Sequence, residues 1–141
     1  MGTFLIVLGS VIALVFVTKF FVGKNRTREL DRDFSLELSC GRARALVAAA
    51  TAARGVLWQV EFTDNGLLTR HIRARNVIHV AISDSGRPGR SCAKVWTRYR
   101  WADTAIILRP RSFLDTRRKR DKIIRTLSTY AVPSGRDATI R

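Results

Sequence analysis

The feature that most constrains this chain is an unbroken apolar stretch near its N-terminus. Residues 3–18 (TFLIVLGSVIALVFVT) carry no charge, and residues 20–22 extend the stretch beyond Lys19. A helix over residues 3–22 is about 30 Å long, which matches the hydrocarbon thickness of a bilayer. The flexible side chain of Lys19 can place its ammonium group among the lipid headgroups. The pattern therefore predicts a single-pass transmembrane anchor over residues 1–22.

Two other structures begin with a similar stretch: a buried helix of a soluble protein and a cleaved signal peptide. A buried helix is disfavoured, because such helices are rarely apolar on every face at a chain terminus. A signal peptide needs a basic first segment and small residues at its cleavage site. Residues 1–3 hold no basic side chain, and residues 20–23 (FFVG) lack an Ala-x-Ala pattern. The uncleaved anchor is therefore favoured over the leader.

Charge asymmetry predicts how the anchor is oriented. Basic side chains follow the apolar stretch at Lys24, Arg26, Arg28 and Arg32, and no basic side chain precedes it. Short loops rich in Lys and Arg stay in the cytoplasm. We therefore expect a cell-membrane protein with its N-terminus outside and its C-terminal domain in the cytoplasm.

The rest of the chain divides by composition into three segments. Residues 23–33 (GKNRTRELDRD) are polar and of mixed charge, which is typical of a juxtamembrane linker that partly extends the anchor helix. Residues 34–130 alternate between apolar and polar patterns and are predicted to form one basic domain. Residues 131–141 are expected to form a flexible tail.

Periodicity within residues 34–130 predicts a mixed fold. Alternation with period two indicates strands, and helix formers bounded by Gly41 and Gly55 indicate a short Ala-rich helix. The predicted strands are residues 34–39, 56–62, 67–75, 77–83, 92–101 and 104–108, and the predicted helices are residues 42–53 and 113–130. A run of strands with helices at both ends predicts the α+β class, with a mainly antiparallel sheet of about six strands and a C-terminal basic helix.

The same patterns predict which side chains face the core. Ile78, Val80 and Ile82 share one face of a strand, and the C-terminal helix is expected to pack through Phe113, Ile123, Ile124 and Leu127. In residues 67–75 the apolar set Leu68, Ile72 and Ala74 is assigned to one face, and Thr69, His71, Arg73 and Arg75 to the other.

This order of elements resembles the helix-grip (START-like) lipid-binding architecture. The resemblance is one of topology, covers residues 34–130 and depends on no motif. It implies a curved sheet that grips the C-terminal helix, and a domain that binds a lipid or another small ligand.

The charge of the chain favours anionic partners. The sequence has 26 Lys and Arg against 11 Asp and Glu, for a formal net charge of +15. Such a surplus attracts nucleic acid, anionic lipid or an acidic protein. An alternative is that the excess of Arg over Lys reflects a GC-rich genome.

The C-terminal helix holds the densest basic cluster. Five cations crowd its middle: Arg117, Arg118, Lys119, Arg120 and Lys122. Near an anionic leaflet each such charge contributes about 1 kcal/mol of attraction. The alternative is a solvated helix face that Asp115 and Asp121 partly neutralise. We predict that the five cations contact an anionic surface.

A second group of cations lies on the predicted sheet. Trp96, Arg98 and Arg100 alternate on one strand face, and Arg73 and Arg75 are candidates for the same sheet face. Aromatic and Arg side chains together suit the bases and phosphates of nucleic acid. This partner is less favoured than lipid, because the sequence has no RNP, helix-turn-helix or KH pattern.

Metal and catalytic sites are not predicted. His71 and His79 are candidates to face each other across adjacent strands near Cys40 or Cys92, but no spacing fits a zinc site. No nucleophile, base and orienting group converge in the sequence, and no cofactor motif is present. We therefore expect a non-enzymatic, membrane-anchored binding or assembly domain. The alternatives are a tethered ligand-binding domain of helix-grip type and a tethered nucleic-acid binder.

Overall fold

The first helix is longer than the apolar stretch that predicts it. The computed structural model describes residues 2–73, 76–98 and 110–133. Helix α1 spans Gly2–Leu30, a continuous run of 29 residues. Within it, Leu5–Val22 is long and apolar enough to cross a membrane. The predicted linker therefore continues the helix as far as Leu30.

The domain after α1 is α+β, as predicted, with a five-stranded sheet. Its elements are β1 (Phe34–Leu38), α2 (Arg42–Ala53), β2 (Trp58–Thr63), β3 (Gly66–His71), β4 (Val77–Asp84), β5 (Ser91–Arg98) and α3 (Pro110–Ser128). The strand order is β1-β5-β4-β3-β2, and every neighbouring pair is antiparallel. The sixth predicted strand, residues 104–108, lies outside the described residues.

Both helices of the domain pack on one face of the sheet. The five most buried residues of α2 are all alanines: Ala45, Ala49, Ala50, Ala52 and Ala53. Their small side chains let α2 lie close to α3 and to the strands beneath it. The predicted core residues Ile78, Val80, Ile82, Phe113, Ile123 and Leu127 are buried, and Ile124 packs at the edge of this core.

The assignment of faces in β3 is wrong. Leu67, Thr69 and His71 face the core, Leu68 lies on the opposite face, and Ile72 is exposed. The register of the hairpin explains the difference. Gly66 is opposite Thr63 across the turn, and a Cβ on Gly66 would lie 1.9 Å from the Val80 carbonyl oxygen. This close approach fixes the register, and a shift of one residue reverses every side chain of a strand.

One edge of the sheet is covered by the residues that follow α3. The Ser39 amide donates to the Tyr130 carbonyl oxygen at 2.7 Å, and the Val132 amide donates to the Glu37 carbonyl oxygen at 2.9 Å. These bonds pair β1 with the beginning of the predicted tail. Residues 134–141 lie outside the described residues.

The strand register places one edge of the domain next to the end of α1. β1 begins at Phe34, close after α1, and Phe34 is opposite Val95 near the end of β5. By the same antiparallel pairing, the beginnings of β2 and β4 and the end of β3 lie at this edge. This edge is formed by the ends of the strands and not by an outer strand, and we call it the anchor-proximal edge. The Asp64–Asn65 turn and the β4–β5 loop lie at the opposite, distal edge.

Candidate basic surface and pocket

The end of α1 is packed against α3. Leu30 is fully buried and forms a small apolar cluster with Phe113. The Arg117 Nε atom lies 3.0 Å from the Glu29 carboxylate, so an ion pair flanks the apolar contact. The anchor helix is therefore joined to the domain through side chains as well as through the backbone.

Arg120 completes this junction and is not a surface residue. It is 3% exposed, and its Nη1 atom donates to the Glu29 carbonyl oxygen at 2.8 Å. Its Nε and Nη2 atoms donate to Asp121 Oδ1, and its guanidinium lies 5.1 Å from the centre of the Phe34 ring. The predicted contact of Arg120 with an anionic surface is therefore corrected, because α1 and β1 cover this side chain.

Three of the five predicted cations are exposed on α3. Arg117, Arg118 and Lys122 lie on its solvent face, together with Leu114, which is 43% exposed. Arg125, which the sequence prediction did not include, continues this face. We call these five residues the basic ridge. An apolar side chain among cations is a composition that suits the headgroup region of a bilayer.

A shallow pocket of about 370 Å³ lies beside the basic ridge at the anchor-proximal edge. One wall is the turn before β2, residues 55–58, with His71 at the end of β3. The other wall is α3, which contributes Asp115, Arg118, Lys119 and Lys122. These three cations and one carboxylate give the charged lining a net charge of +2.

Lys119 is the fixed cation of this pocket. Its Nζ atom donates to the Arg54 carbonyl oxygen at 2.8 Å and lies 5.8 Å from the centre of the Trp58 ring. Burial lowers the pKa of Lys119, and the nearby charge of Lys122 lowers it further. The side chain is thus held in place while its charge is incompletely compensated.

His71 is a buried residue that lines the pocket. Its ring packs edge-on against Trp58, with the ring centres 4.9 Å apart. Burial lowers the pKa of His71; Asp115 acts in the opposite direction and Arg73 in the same direction. Close by, the side-chain amide of Asn76 donates to the Thr116 hydroxyl at 2.9 Å, which ties the β3–β4 connection to α3.

The outer face of the sheet carries the second predicted group. Trp96 stacks on His79 with ring centres 5.1 Å apart, and the Lys94 ammonium lies 5.9 Å from the Trp96 ring. Arg98 is exposed on β5 and Arg73 is exposed just after β3. Arg75 and Arg100 lie outside the described residues.

The two histidines, which the sequence analysis named as candidates to face each other, lie on opposite faces of the sheet. His79 is opposite Leu68 and points away from the helices, whereas His71 points toward them. Burial lowers the pKa of His79, and Arg98 lowers it further. Within the described ranges, no cluster of three or more His, Cys, Asp or Glu side chains is placed to hold a metal ion. Cys40 is buried and Cys92 is exposed.

The pocket was not predicted from the sequence, although the sequence places three of its lining residues in or next to predicted elements. Trp58 and Gly55 stand next to a helix end, and His71 stands in a strand. Their meeting with α3 depends on contacts between segments far apart in the chain, which local patterns do not encode.

No protein-family model matches the chain, and no curated protein or solved structure is significantly similar to it. The helix-grip resemblance therefore stays a prediction from the order of the elements. Any function assigned to the chain depends on its own geometry.

Proposed function

We propose that this chain is a single-pass membrane protein that holds a small basic binding domain at the cytoplasmic face of the cell membrane. In this proposal α1 is an uncleaved anchor, and the basic ridge faces the anionic headgroups of the bilayer. The observation that carries the proposal is the unbroken course of α1 from Leu5 to Leu30, where its last turn packs against α3.

The surface of α1 supports the role of an anchor. The domain buries no residue of the Leu5–Val22 segment, so its apolar side chains have no protein core to fill. The hydroxyls of Ser10 and Thr18 donate to the carbonyl oxygens of Ile6 and Leu14, one turn earlier. A hydroxyl bonded in this way is tolerated in hydrocarbon, where unpaired polar groups are costly.

The length of α1 beyond the apolar segment supports the role of the basic ridge. Eight helical residues, 23–30, follow Val22 and cover about 12 Å. The headgroup region adds about 5–8 Å to each side of the hydrocarbon, so Leu30 would lie about 4–7 Å beyond it. The junction at Leu30 thus keeps Arg117 and its neighbours within about one Debye length of the headgroups at physiological salt.

The first prediction tests the anchor and its orientation with the full chain. Membranes from cells that express it should retain the protein after alkaline carbonate extraction, and its intact mass should be 15.9 kDa. A fluorescent protein that matures only in the cytoplasm should become fluorescent when fused after Arg141.

The contrary outcome distinguishes an anchor from a leader. Recovery of a soluble domain that begins near residue 23 would identify the apolar stretch as a cleaved signal sequence and overturn the proposal. A matched control replaces Val11 and Val15 by Lys, because two charges in the centre of the apolar segment should abolish retention. A dark fusion that is still retained by the membrane would show that the C-terminal domain lies on the outer side, which is opposite to the proposed orientation.

A further inference from the structure

The pocket beside α3 has the charge expected of a site for a doubly charged anion. Its charged lining residues, Arg118, Lys119, Lys122 and Asp115, sum to +2. A phosphomonoester carries about −1.5 to −2 at neutral pH, whereas a phosphodiester carries a single charge. The charge of the pocket therefore suits a phosphomonoester better than the phosphodiester of an ordinary phospholipid.

The hydrogen-bonding capacity of the pocket points to the same group. Lys119 uses one of the three N–H donors of its ammonium for the Arg54 carbonyl oxygen, and this bond fixes its position. Arg118 and Lys122 are more exposed and lie on the same wall. One fixed cation and two adjustable ones can together surround the three oxygens of a phosphate.

The rim of the pocket is apolar on the side away from α3. Val56 is 95% exposed at the tip of the turn, and Ile72, which is 56% exposed, donates its amide to the Leu57 carbonyl oxygen at 2.9 Å. Val56 lines the pocket, and the bond from Ile72 to Leu57 brings the two chain segments together at the anchor-proximal edge, where both aliphatic side chains are exposed. Such a pair is costly to hydrate but is well placed to contact the upper part of a lipid.

We propose that the pocket formed by residues 55–58, His71 and α3 binds a phosphomonoester group, and that this group is presented by a lipid headgroup. The inference rests on the proposed function, because the anchor brings the pocket to the bilayer surface. The volume of about 370 Å³ is at the low end for ligand pockets, so it suits a headgroup rather than a whole lipid.

The second prediction concerns lipid selectivity and uses the full chain in detergent micelles. Native mass spectrometry counts the molecules bound when three probes are added: short-chain phosphatidic acid, short-chain phosphatidylglycerol and glycerol 3-phosphate. The wild-type chain should bind one phosphatidic acid more tightly than either of the other two. The diester lacks the second charge, and the soluble phosphate lacks the acyl chains that contact Val56 and Ile72.

Matched variants assign the binding to the pocket. The double variant Lys119→Gln, Lys122→Gln should weaken the binding of phosphatidic acid by about 25-fold, a factor of about five for each cation removed. The control Arg42→Gln, Arg87→Gln removes one half-buried and one exposed cation at the distal edge and should leave the affinity unchanged. Thermal unfolding of both variants checks that the fold is retained, and Arg118→Gln gives a second test if the double variant is unstable.

Each outcome bears on a separate part of the proposal. Equal affinity for phosphatidic acid and phosphatidylglycerol, or equal loss in the pocket and control variants, would overturn the pocket as a phosphomonoester site. Glycerol 3-phosphate that binds as tightly as phosphatidic acid would overturn the lipid as its source. Failure of the proposed function is distinguished by the carbonate experiment, since a released domain would lack the anchor whatever its pocket binds.

Discussion

The two long helices of this protein use apolar residues in opposite ways. In α1 the apolar side chains surround the helix, and the domain covers none of the Leu5–Val22 segment. In α3 they form a single stripe, in which the sheet and α2 bury Ile123 and Leu127 and the end of α1 covers Phe113, while the opposite face is basic. Apolar content alone therefore does not define the environment of a helix. The distribution of apolar residues around the axis does.

The two helices meet at Leu30. Up to Val22 the surface of α1 suits hydrocarbon, and eight residues later the same helix packs against Phe113 like any helix of a soluble domain. The change of environment occurs without a break in the backbone. Substitutions on either side of this point should thus have different consequences for folding, and three predictions sharpen the contrast.

The largest effect is expected in the buried stripe of α3. Ile123→Ala should lower the free energy of unfolding of the domain by about 2–5 kcal/mol, because it leaves a cavity under a fully buried side chain. Denaturant titration of the full chain in detergent, followed by tryptophan fluorescence, measures the change. The matched variant Leu14→Ala, at a position 69% exposed in α1, should leave this free energy within about 0.5 kcal/mol of wild type. Similar losses in both variants would contradict the comparison.

A smaller effect is expected at the junction of the two helices. Arg120→Met keeps most of the side-chain volume but removes the donors to Glu29 and Asp121, and should cost about 1–3 kcal/mol. The freed last turn of α1 should also be cleaved faster by trypsin after Arg28. The control Arg118→Met removes an exposed cation of the same helix and should change neither measurement. Unchanged cleavage in the Arg120 variant would mean that the junction does not depend on this side chain.

The smallest effect is on pH dependence, because opposing influences act on the histidine beside α3. The pKa of His71 in the folded domain is lowered by burial below its ordinary value of 6.5, while Asp115 partly offsets the shift. The unfolded chain therefore takes up a proton at a higher pH than the folded chain does. Stability is fully present above about pH 6.5 and should decrease as the pH falls through the lowered pKa.

A change of pH should affect the stability of the domain but not the retention of the anchor in the membrane. Thermal unfolding at pH 7.5 and pH 5.5 should show the loss of stability, whereas retention in the membrane should not change, since Leu5–Val22 holds no group that titrates in this range. His79, whose pKa is also lowered, should contribute in the same direction. If the double variant His71→Gln, His79→Gln keeps the full pH dependence, the origin lies elsewhere.

Much of the fold could be predicted because local sequence patterns mark where several helices and strands begin and end. The Ala-rich segment between Gly41 and Gly55 is a helix with the predicted ends, and strict alternation gave the inner face of β4. The face of β3 was assigned wrongly because Leu67 and Leu68 are adjacent and both apolar. Alternation then has two equally good phases, and only the close contact at Gly66 selects one.

The candidate site could be predicted only in part, because its contacts join distant segments. The sequence identified Arg117, Arg118, Lys119 and Lys122 as members of a basic cluster, and in α3 these side chains lie on the ridge or at the pocket. It could not separate Arg120 from them. One partner of Arg120 is a backbone carbonyl 91 positions away, and five neighbouring cations give no local indication of which one is buried.

The side-chain grip on the last turn of α1 has a mechanical consequence in a membrane. Transmembrane helices tilt to match the thickness of the bilayer around them. If α1 spans a membrane as proposed, the contacts of Leu30, Glu29 and Arg120 with the domain would make the domain tilt together with the helix. A thinner bilayer would then change how closely Val56 and Leu114 approach the lipid. Through this junction, the orientation of the domain would depend on the local thickness of the membrane.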